Sequence, residues 1–220
     1  MIARELINDT FPPLKLSDSG LKAINWLEEF HLEHLPLVDQ IDYVGLVTEE
    51  DILKLAALDQ PLANQPLSLS KPFVKATQPI FEVVKVLSKH KLTAVPVLDD
   101  GGKYAGLVTL PDIMKHYAES GIFDDSNGVV VLEMHMQQYS LVHIAGIVES
   151  ESAKILQVYV TPDLEKETID VTLKINQNDL TRIIAGFERH GYNVTEHYNQ
   201  GEYLGDLKSR YDALMNYLNI

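Results

Sequence analysis

The pattern of hydrophobic and polar positions in the first half of the chain occurs twice. Residues 43–54 and 104–115 lie sixty-one positions apart and are identical at eight of twelve positions. Upstream, 35–39 and 95–99 match at an offset of sixty, and each has a proline between apolar residues. The extra residue falls near Gly101-Gly102, where a turn tolerates an insertion. The pattern therefore indicates two copies of one folding unit.

The periodicity within each copy predicts the order strand, helix, strand, strand, helix. In the second copy, apolar residues at i, i+3, i+4 and i+7 from Ile80 predict a helix. The segments Leu92 to Leu98 and Tyr104 to Val108 flank a glycine turn, as the strands of a hairpin do. Thr109 then stands at an N-cap position, and Asp112 falls in the first turn of the last helix.

The second half of the chain has a different pattern, in which strand–helix–strand occurs twice. This order predicts a ferredoxin-like βαββαβ arrangement. Thr161-Pro162-Asp163 is predicted to start the turn between the two central strands. Apolar residues at helical spacing after Tyr203 predict an amphipathic C-terminal helix. The segments are strands at 129–136, 153–160, 168–175 and 192–195, and helices after Ser140 and Asp179.

Composition narrows the classes of partner. The chain has 220 residues, with 32 acidic against 18 basic side chains and a formal net charge of −14. This balance argues against binding of nucleic acid or of an anionic membrane surface. The absence of cysteine excludes disulfides, thiolate chemistry and cysteine-based zinc sites. Met1 to Leu6 carry no secretory signal pattern, so we expect a cytoplasmic protein.

The doubled motif Gly-Leu-Val-Thr-x-x-Asp-Ile, after a short apolar strand with a central proline, resembles a tandem pair of cystathionine-β-synthase (CBS) domains. Such a pair is also called a Bateman module. The resemblance covers about residues 1–120. It implies a non-catalytic regulatory protein that binds an adenosine-containing ligand, namely AMP, ADP, ATP or S-adenosylmethionine, and that requires no other cofactor.

The resemblance also assigns roles to residues of this chain. The threonine and the aspartate of each motif would hold phosphate and ribose, and strand residues beside each proline would flank the adenine. Physically, a hydroxyl and first-turn N–H groups can hold an anion, and a carboxylate can accept two hydrogen bonds from a diol. The same residues are also good helix caps without any ligand. The expected ligand-binding residues are Thr109, Asp112, Pro96, Val97, Thr48, Asp51, Pro36 and Leu37.

The two motifs differ between the threonine and the aspartate. The first has Glu49 and Glu50 there, whereas the second has Leu110 and Pro111. Two carboxylates at a helix start satisfy the helix dipole themselves and repel a phosphate. The second copy is therefore the expected site for a phosphorylated ligand, and the first would better tolerate adenosine or S-adenosylmethionine.

The second half resembles an ACT domain by the order and size of its elements. ACT domains often bind amino acids at dimer interfaces, but the turn into the first helix here has no glycine, which favours a role in forming a homodimer. An amino-acid sensor, or a purely dimerising module with empty CBS clefts, is therefore the alternative function. The domain order is similar to that of acetoin-utilisation-type regulatory proteins.

The expected fold class is α/β (α+β), with a CBS pair, a ferredoxin-like ACT-like domain and a C-terminal helix. No catalytic or nucleotide-binding loop motif occurs, so we expect no enzymatic activity. His31 and His34 lack a third ligand nearby, so no metal site is expected. The regulated partner protein is not identified by any motif. The expected segments are CBS repeats at 1–60 and 61–120, a linker at 121–128, the ACT-like domain at 129–200 and the helix at 201–220.

Overall fold

The structure is a computed structural model that describes residues 1–67, 69–120, 127–199, 215 and 217. The chain divides into two compact units, Met1–His116 and Tyr117–Ile220. The predicted C-terminal helix, apart from two positions, and most of the predicted linker lie outside the described residues. Helices and sheets occur in both units, so the predicted α/β (α+β) class is confirmed.

Residues 14–119 form two copies of the predicted arrangement. The first copy consists of β1 (Leu14–Lys15), α1 (Gly20–Phe30), β2 (His34–Asp39), β3 (Asp42–Thr48) and α2 (Glu49–Leu53). The second copy consists of β4 (Val74–Lys75), α3 (Ile80–His90), β5 (Ala94–Leu98), β6 (Tyr104–Thr109) and α4 (Leu110–Glu119). The last helix is five residues long in the first copy and ten in the second.

Each copy has a three-stranded sheet with the same pairing. The first strand runs parallel to the second, and the second and third form an antiparallel hairpin. The central proline of each hairpin pairs with a leucine, Pro36 with Leu46 and Pro96 with Leu107. Both hairpins also have a register shift one residue later on the proline-bearing strand. The duplication seen in the sequence therefore extends to the irregularities of the fold.

The two copies contact each other through their hairpins. Lys103 Nζ lies 2.6 Å from Asp42 Oδ1, and the Tyr104 N–H donates to the Ile41 carbonyl at 2.9 Å. Ala94 and Leu107 of the second copy also belong to the hydrophobic core of the first. The pair therefore shares buried surface, which stabilises each copy only when the other is folded.

The second unit has one four-stranded antiparallel sheet of order β10-β7-β9-β8. This is the order 4-1-3-2 of a βαββαβ unit, so the ferredoxin-like prediction is confirmed. Residues from both helices, including Ile144, Val148, Ile183 and Phe187, are fully buried in its core. The elements are β7 (Gly128–Met134), α5 (Leu141–Ser150), β8 (Ile155–Asp163), β9 (Thr168–Ile175), α6 (Thr181–Arg189) and β10 (Asn193–Tyr198).

The prediction of a turn at Thr161-Pro162-Asp163 is wrong. These three residues are the end of β8, where Pro162 pairs with Ile169. The turn follows them, and Asp163 Oδ1 accepts the N–H groups of Glu165 and Lys166 at 3.0 and 3.2 Å. Strand β8 lies at the edge of the sheet, and an edge strand tolerates a proline because only one of its sides needs hydrogen bonds.

Candidate functional site

The threonine and the aspartate of each motif form a reciprocal cap at the start of a helix. In the first copy, the Thr48 hydroxyl donates to Asp51 Oδ2 at 2.7 Å, and the Asp51 N–H donates to Thr48 Oγ1 at 3.1 Å. The corresponding distances for Thr109 and Asp112 are 2.6 and 3.3 Å. Each pair satisfies N–H groups that a helix start leaves without partners. Both predicted pairs are thus brought together, and both perform a capping role.

The two aspartates differ in the contact of their second carboxylate oxygen. Asp112 Oδ1 accepts a hydrogen bond from the Asn8 side-chain amide at 2.7 Å. Among the described residues, no group donates to Asp51 Oδ1. The motif itself gives no signal for Asn8, because this residue lies 104 positions from Asp112 along the chain.

The strand residues expected to flank an adenine are buried. Leu37 is 1% exposed and Val97 is fully buried, and Pro36 and Pro96 are buried beside them. Leu37 also lines a cavity of about 350 Å³ in the first copy, whereas Thr48 does not line it. Polar and apolar surface line the cavity in similar amounts, and its other lining residues are Leu16, Val44, Leu62, Ala63, Gln65, Leu67, Leu69 and Lys71.

Carboxylates surround the start of α2. Glu50 Oε1 accepts a hydrogen bond from Lys54 Nζ at 2.6 Å, and this contact raises the pKa of Lys54. Glu49 lines a smaller cavity of about 180 Å³ together with Glu28 and Glu33. Lys54 therefore offsets part of the negative charge of Glu50, whereas Glu28 and Glu33 add negative charge near Glu49.

His34 joins the two copies near Asp51. Its Nδ1 lies 3.2 Å from Thr93 Oγ1, and the same hydroxyl oxygen accepts the Glu33 N–H at 3.3 Å. Burial lowers the pKa of His34, while the charges of Glu33 and Asp51 oppose this shift. Burial therefore favours the neutral imidazole of His34.

Acidification is expected to destabilise the first unit partly through His34. Its pKa is lower in the folded chain than the ordinary value of about 6.5, so the unfolded chain takes up the proton first. Stability therefore falls as the pH drops through that ordinary value. The Tm of His34→Gln should fall less between about pH 7 and pH 5 than that of the unaltered chain. Thermal melts test this, with the exposed His90→Gln as control, and equal slopes for all three proteins would contradict it.

The second unit contains a groove of about 740 Å³ along α5. Asn193 Nδ2 donates to Glu133 Oε1 at 3.2 Å at one side of the groove. His190 Nδ1 lies 2.8 Å from the Gly186 carbonyl, which accepts a hydrogen bond from this nitrogen. The remaining lining residues are Met134, Gln138, Val142, His143, Gly146, Ile147, Ser150, Gly191 and Tyr192.

Two further kinds of site are absent from the described part of the chain. Its histidine, aspartate and glutamate side chains form no group of three that could hold a metal ion. None of its helices combines the length and the apolar character needed to traverse a bilayer.

The repeated fold and the capped Thr-x-x-Asp motif of the first unit agree with the tandem CBS domains that the sequence resembles. Residues 68–119 match the sequence model of the CBS domain family. Residues 1–67 repeat the motif, the sheet pairing and the register shift of that segment. The prediction of a tandem CBS pair followed by an ACT-like fold is confirmed.

Two enzymes are similar to parts of this chain. L-aspartate semialdehyde sulfurtransferase of Methanocaldococcus jannaschii is 30% identical over 98 residues, which make up 44% of this chain and 19% of the enzyme. Inosine-5'-monophosphate dehydrogenase of the same organism is 23% identical over 137 residues, or 61% of this chain and 27% of the enzyme. The chain thus spans less than a third of the length of either relative.

Two solved structures match about half of this chain. A CBS domain pair/ACT domain protein from Thermotoga maritima is 23% identical, and the match covers 55% of this chain and 98% of that one with a TM-score of 0.48. A structure of CBSX2 in complex with AMP is 20% identical and matches 54% of this chain and 96% of that one with a TM-score of 0.45.

Proposed function

We propose that this chain is a non-catalytic regulatory protein that binds an adenosine-containing ligand at its CBS pair. The candidates are AMP, ADP, ATP and S-adenosylmethionine, and the ligand class is the one implied by the CBS motif. The observation that supports the proposal most directly is the Asp51 carboxylate. It is held in place by Thr48 and has an oxygen without a donor among the described residues. Such an oxygen suits a ribose hydroxyl.

Thermal-shift measurements with these four ligands test the proposal. A ligand present at 100 times its Kd stabilises the folded chain by about 2.7 kcal/mol, which is easily detected as a rise in Tm. Binding would act by population shift, because only a ligand that prefers one arrangement of the copies can regulate through them. No rise in Tm with any adenosine compound would contradict the proposal.

The groove of the second unit favours one alternative, in which the ACT-like domain senses an amino acid or serves as a dimerising module. The groove offers carboxylate, imidazole and amide groups beside an apolar floor that contains Ile147. A rise in Tm with amino acids alone would support amino-acid sensing, and light scattering would test the proposed homodimer. A dimer without any ligand response would support the dimerising module.

We further propose that the protein acts in the cytoplasm.

Removing the acids at the start of α2 is expected to strengthen AMP binding. A charged group near a helix terminus typically changes an interaction by about 0.3–1 kcal/mol, so removing two charges with Glu49→Gln and Glu50→Gln should tighten AMP binding about three- to thirtyfold. Adenosine, which has no phosphate, should bind with unchanged affinity. Titration calorimetry measures both, and Glu82→Gln, in the first turn of α3, is the matched control. Weaker AMP binding by the double variant would contradict this prediction.

A further inference from the structure

A leading segment, residues 2–8, lies along the second repeat rather than the first. The Ala3 and Arg4 N–H groups donate to the carbonyls of Gln78 and Ala76 at 2.8 and 3.0 Å, and the Asn8 N–H donates to the Leu107 carbonyl at 2.9 Å. The side chains of Ala3 and Leu6 are buried by this contact. Backbone bonds at both ends of the segment therefore fix the position of Asn8.

The side chain of Asn8 completes the hydrogen bonding of Asp112. Asp112 Oδ2 accepts the hydroxyl and the N–H of Thr109 at 2.6 and 2.9 Å, and Asp112 Oδ1 accepts the Asn8 amide at 2.7 Å. Both oxygens of this carboxylate thus have protein donors. A ribose that binds Asp112 must first displace the Asn8 amide or share its oxygen.

The first repeat has a backbone contact at the equivalent place, but the hydrogen bond runs in the opposite direction and the side chain differs. The Leu46 N–H donates to the Ser70 carbonyl at 2.9 Å, whereas in the second repeat the Asn8 N–H donates to the Leu107 carbonyl. Glycine makes both contacts possible. A Cβ at Gly45 would lie 2.6 Å from Leu69, and one at Gly106 would lie 2.3 Å from Ile7. The serine side chain is not hydrogen-bonded to Asp51.

We propose that Asn8 and Ser70 determine which repeat binds the ligand. Asn8 occupies the carboxylate of the second repeat with the protein's own amide, and Ser70 leaves the carboxylate of the first repeat open. The chain then binds one adenosine-containing ligand, at Asp51. This differs from the expectation drawn from Glu49 and Glu50 alone, which placed a phosphorylated ligand at the second repeat, because that expectation did not include the Asn8–Asp112 hydrogen bond. This inference rests on the proposed function. It adds that the first repeat is the one that binds the ligand and that Asn8 prevents binding at the second repeat.

Exchanging the two residues tests the inference, with adenosine as the probe in titration calorimetry. The unaltered chain should bind one equivalent and Asn8→Ser two, whereas Ser70→Asn should bind roughly tenfold more weakly or not at all, since hydrogen bonds to charged groups are strong. Adding Asp112→Ala to Asn8→Ser should restore one equivalent. Two equivalents for the unaltered chain, or one for Asn8→Ser, would overturn the inference.

A second measurement separates this inference from the proposed function. In a double-mutant cycle of Asn8→Ser and Asp112→Asn, thermal melts should show that the first substitution lowers the Tm far less once the second is present. Additive changes would overturn the inference whatever the calorimetry shows. If the two substitutions are coupled but no variant binds adenosine, the proposed function fails and the Asn8–Asp112 contact stands.

Discussion

An Asp51→Ala variant is expected to bind adenosine at least about a hundredfold more weakly than the unaltered chain, since a hydrogen bond to a charged group contributes about 1.5–3 kcal/mol and a ribose diol makes two. Thr48 holds the Asp51 carboxylate in a fixed orientation, so little order is lost when a diol binds. Titration calorimetry with adenosine measures the change directly.

Asp112→Ala is the matched control for this experiment, because it removes the equivalent cap from the second repeat. Each alanine variant loses an N-terminal cap contribution of about 0.5–2 kcal/mol, and Asp112→Ala loses the Asn8 hydrogen bond in addition. The adenosine affinity of Asp112→Ala should stay within about twofold, because Asn8 already occupies that carboxylate. Asp51→Asn serves if the alanine variant does not fold. Equal losses at Asp51 and Asp112 would contradict the prediction.

A Phe187→Ala variant is expected to lose about 3–5 kcal/mol of unfolding free energy, because a buried phenylalanine leaves a cavity when it is truncated. Phe187 is fully buried in the core of the second unit, and its ring packs edge-on against Tyr192 with centroids 5.8 Å apart. A domain is stable by about 5–15 kcal/mol, so the loss is a large share of the total. The expected fall in Tm exceeds about 10 °C.

Phe81→Ala is the control for the effect of losing an aromatic ring. Phe81 lies on α3 and is 75% exposed, so its replacement should change the unfolding free energy by about 0.5 kcal/mol or less. Calorimetric melts of the two variants measure the difference. Similar shifts would show that Phe187 is not in a packed core and would argue against the described second unit.

Much of the first unit could be predicted because its signals are local. The doubled hairpin follows from apolar runs around Pro36 and Pro96 and, in the second copy, from the Gly101-Gly102 turn, all of which act over a few residues. The reciprocal caps also follow from a spacing of three between threonine and aspartate. Duplication strengthened each of these signals, since a pattern found twice in phase is rarely accidental.

The feature that distinguishes the two repeats could not be predicted in this way. The Asn8–Asp112 bond depends on where the leading segment runs, and no periodicity links positions so far apart. The cavity beside Leu37 likewise depends on how side chains from 16 to 71 pack together. The turn at Pro162 was misplaced because proline is common in turns, and the sequence does not show that β8 lies at an edge.

The proline in β8 also affects how the sheet of the second unit could grow. A strand added alongside β8 would pair with the outward-facing N–H and C=O groups, which occur at every second residue, and Pro162 has no N–H to donate. Pairing there could extend over the Ile155 end but would be interrupted before Asp163. Pro162 therefore disfavours edge-to-edge pairing of β8 with a strand of another chain, as proline does at the edges of other sheets.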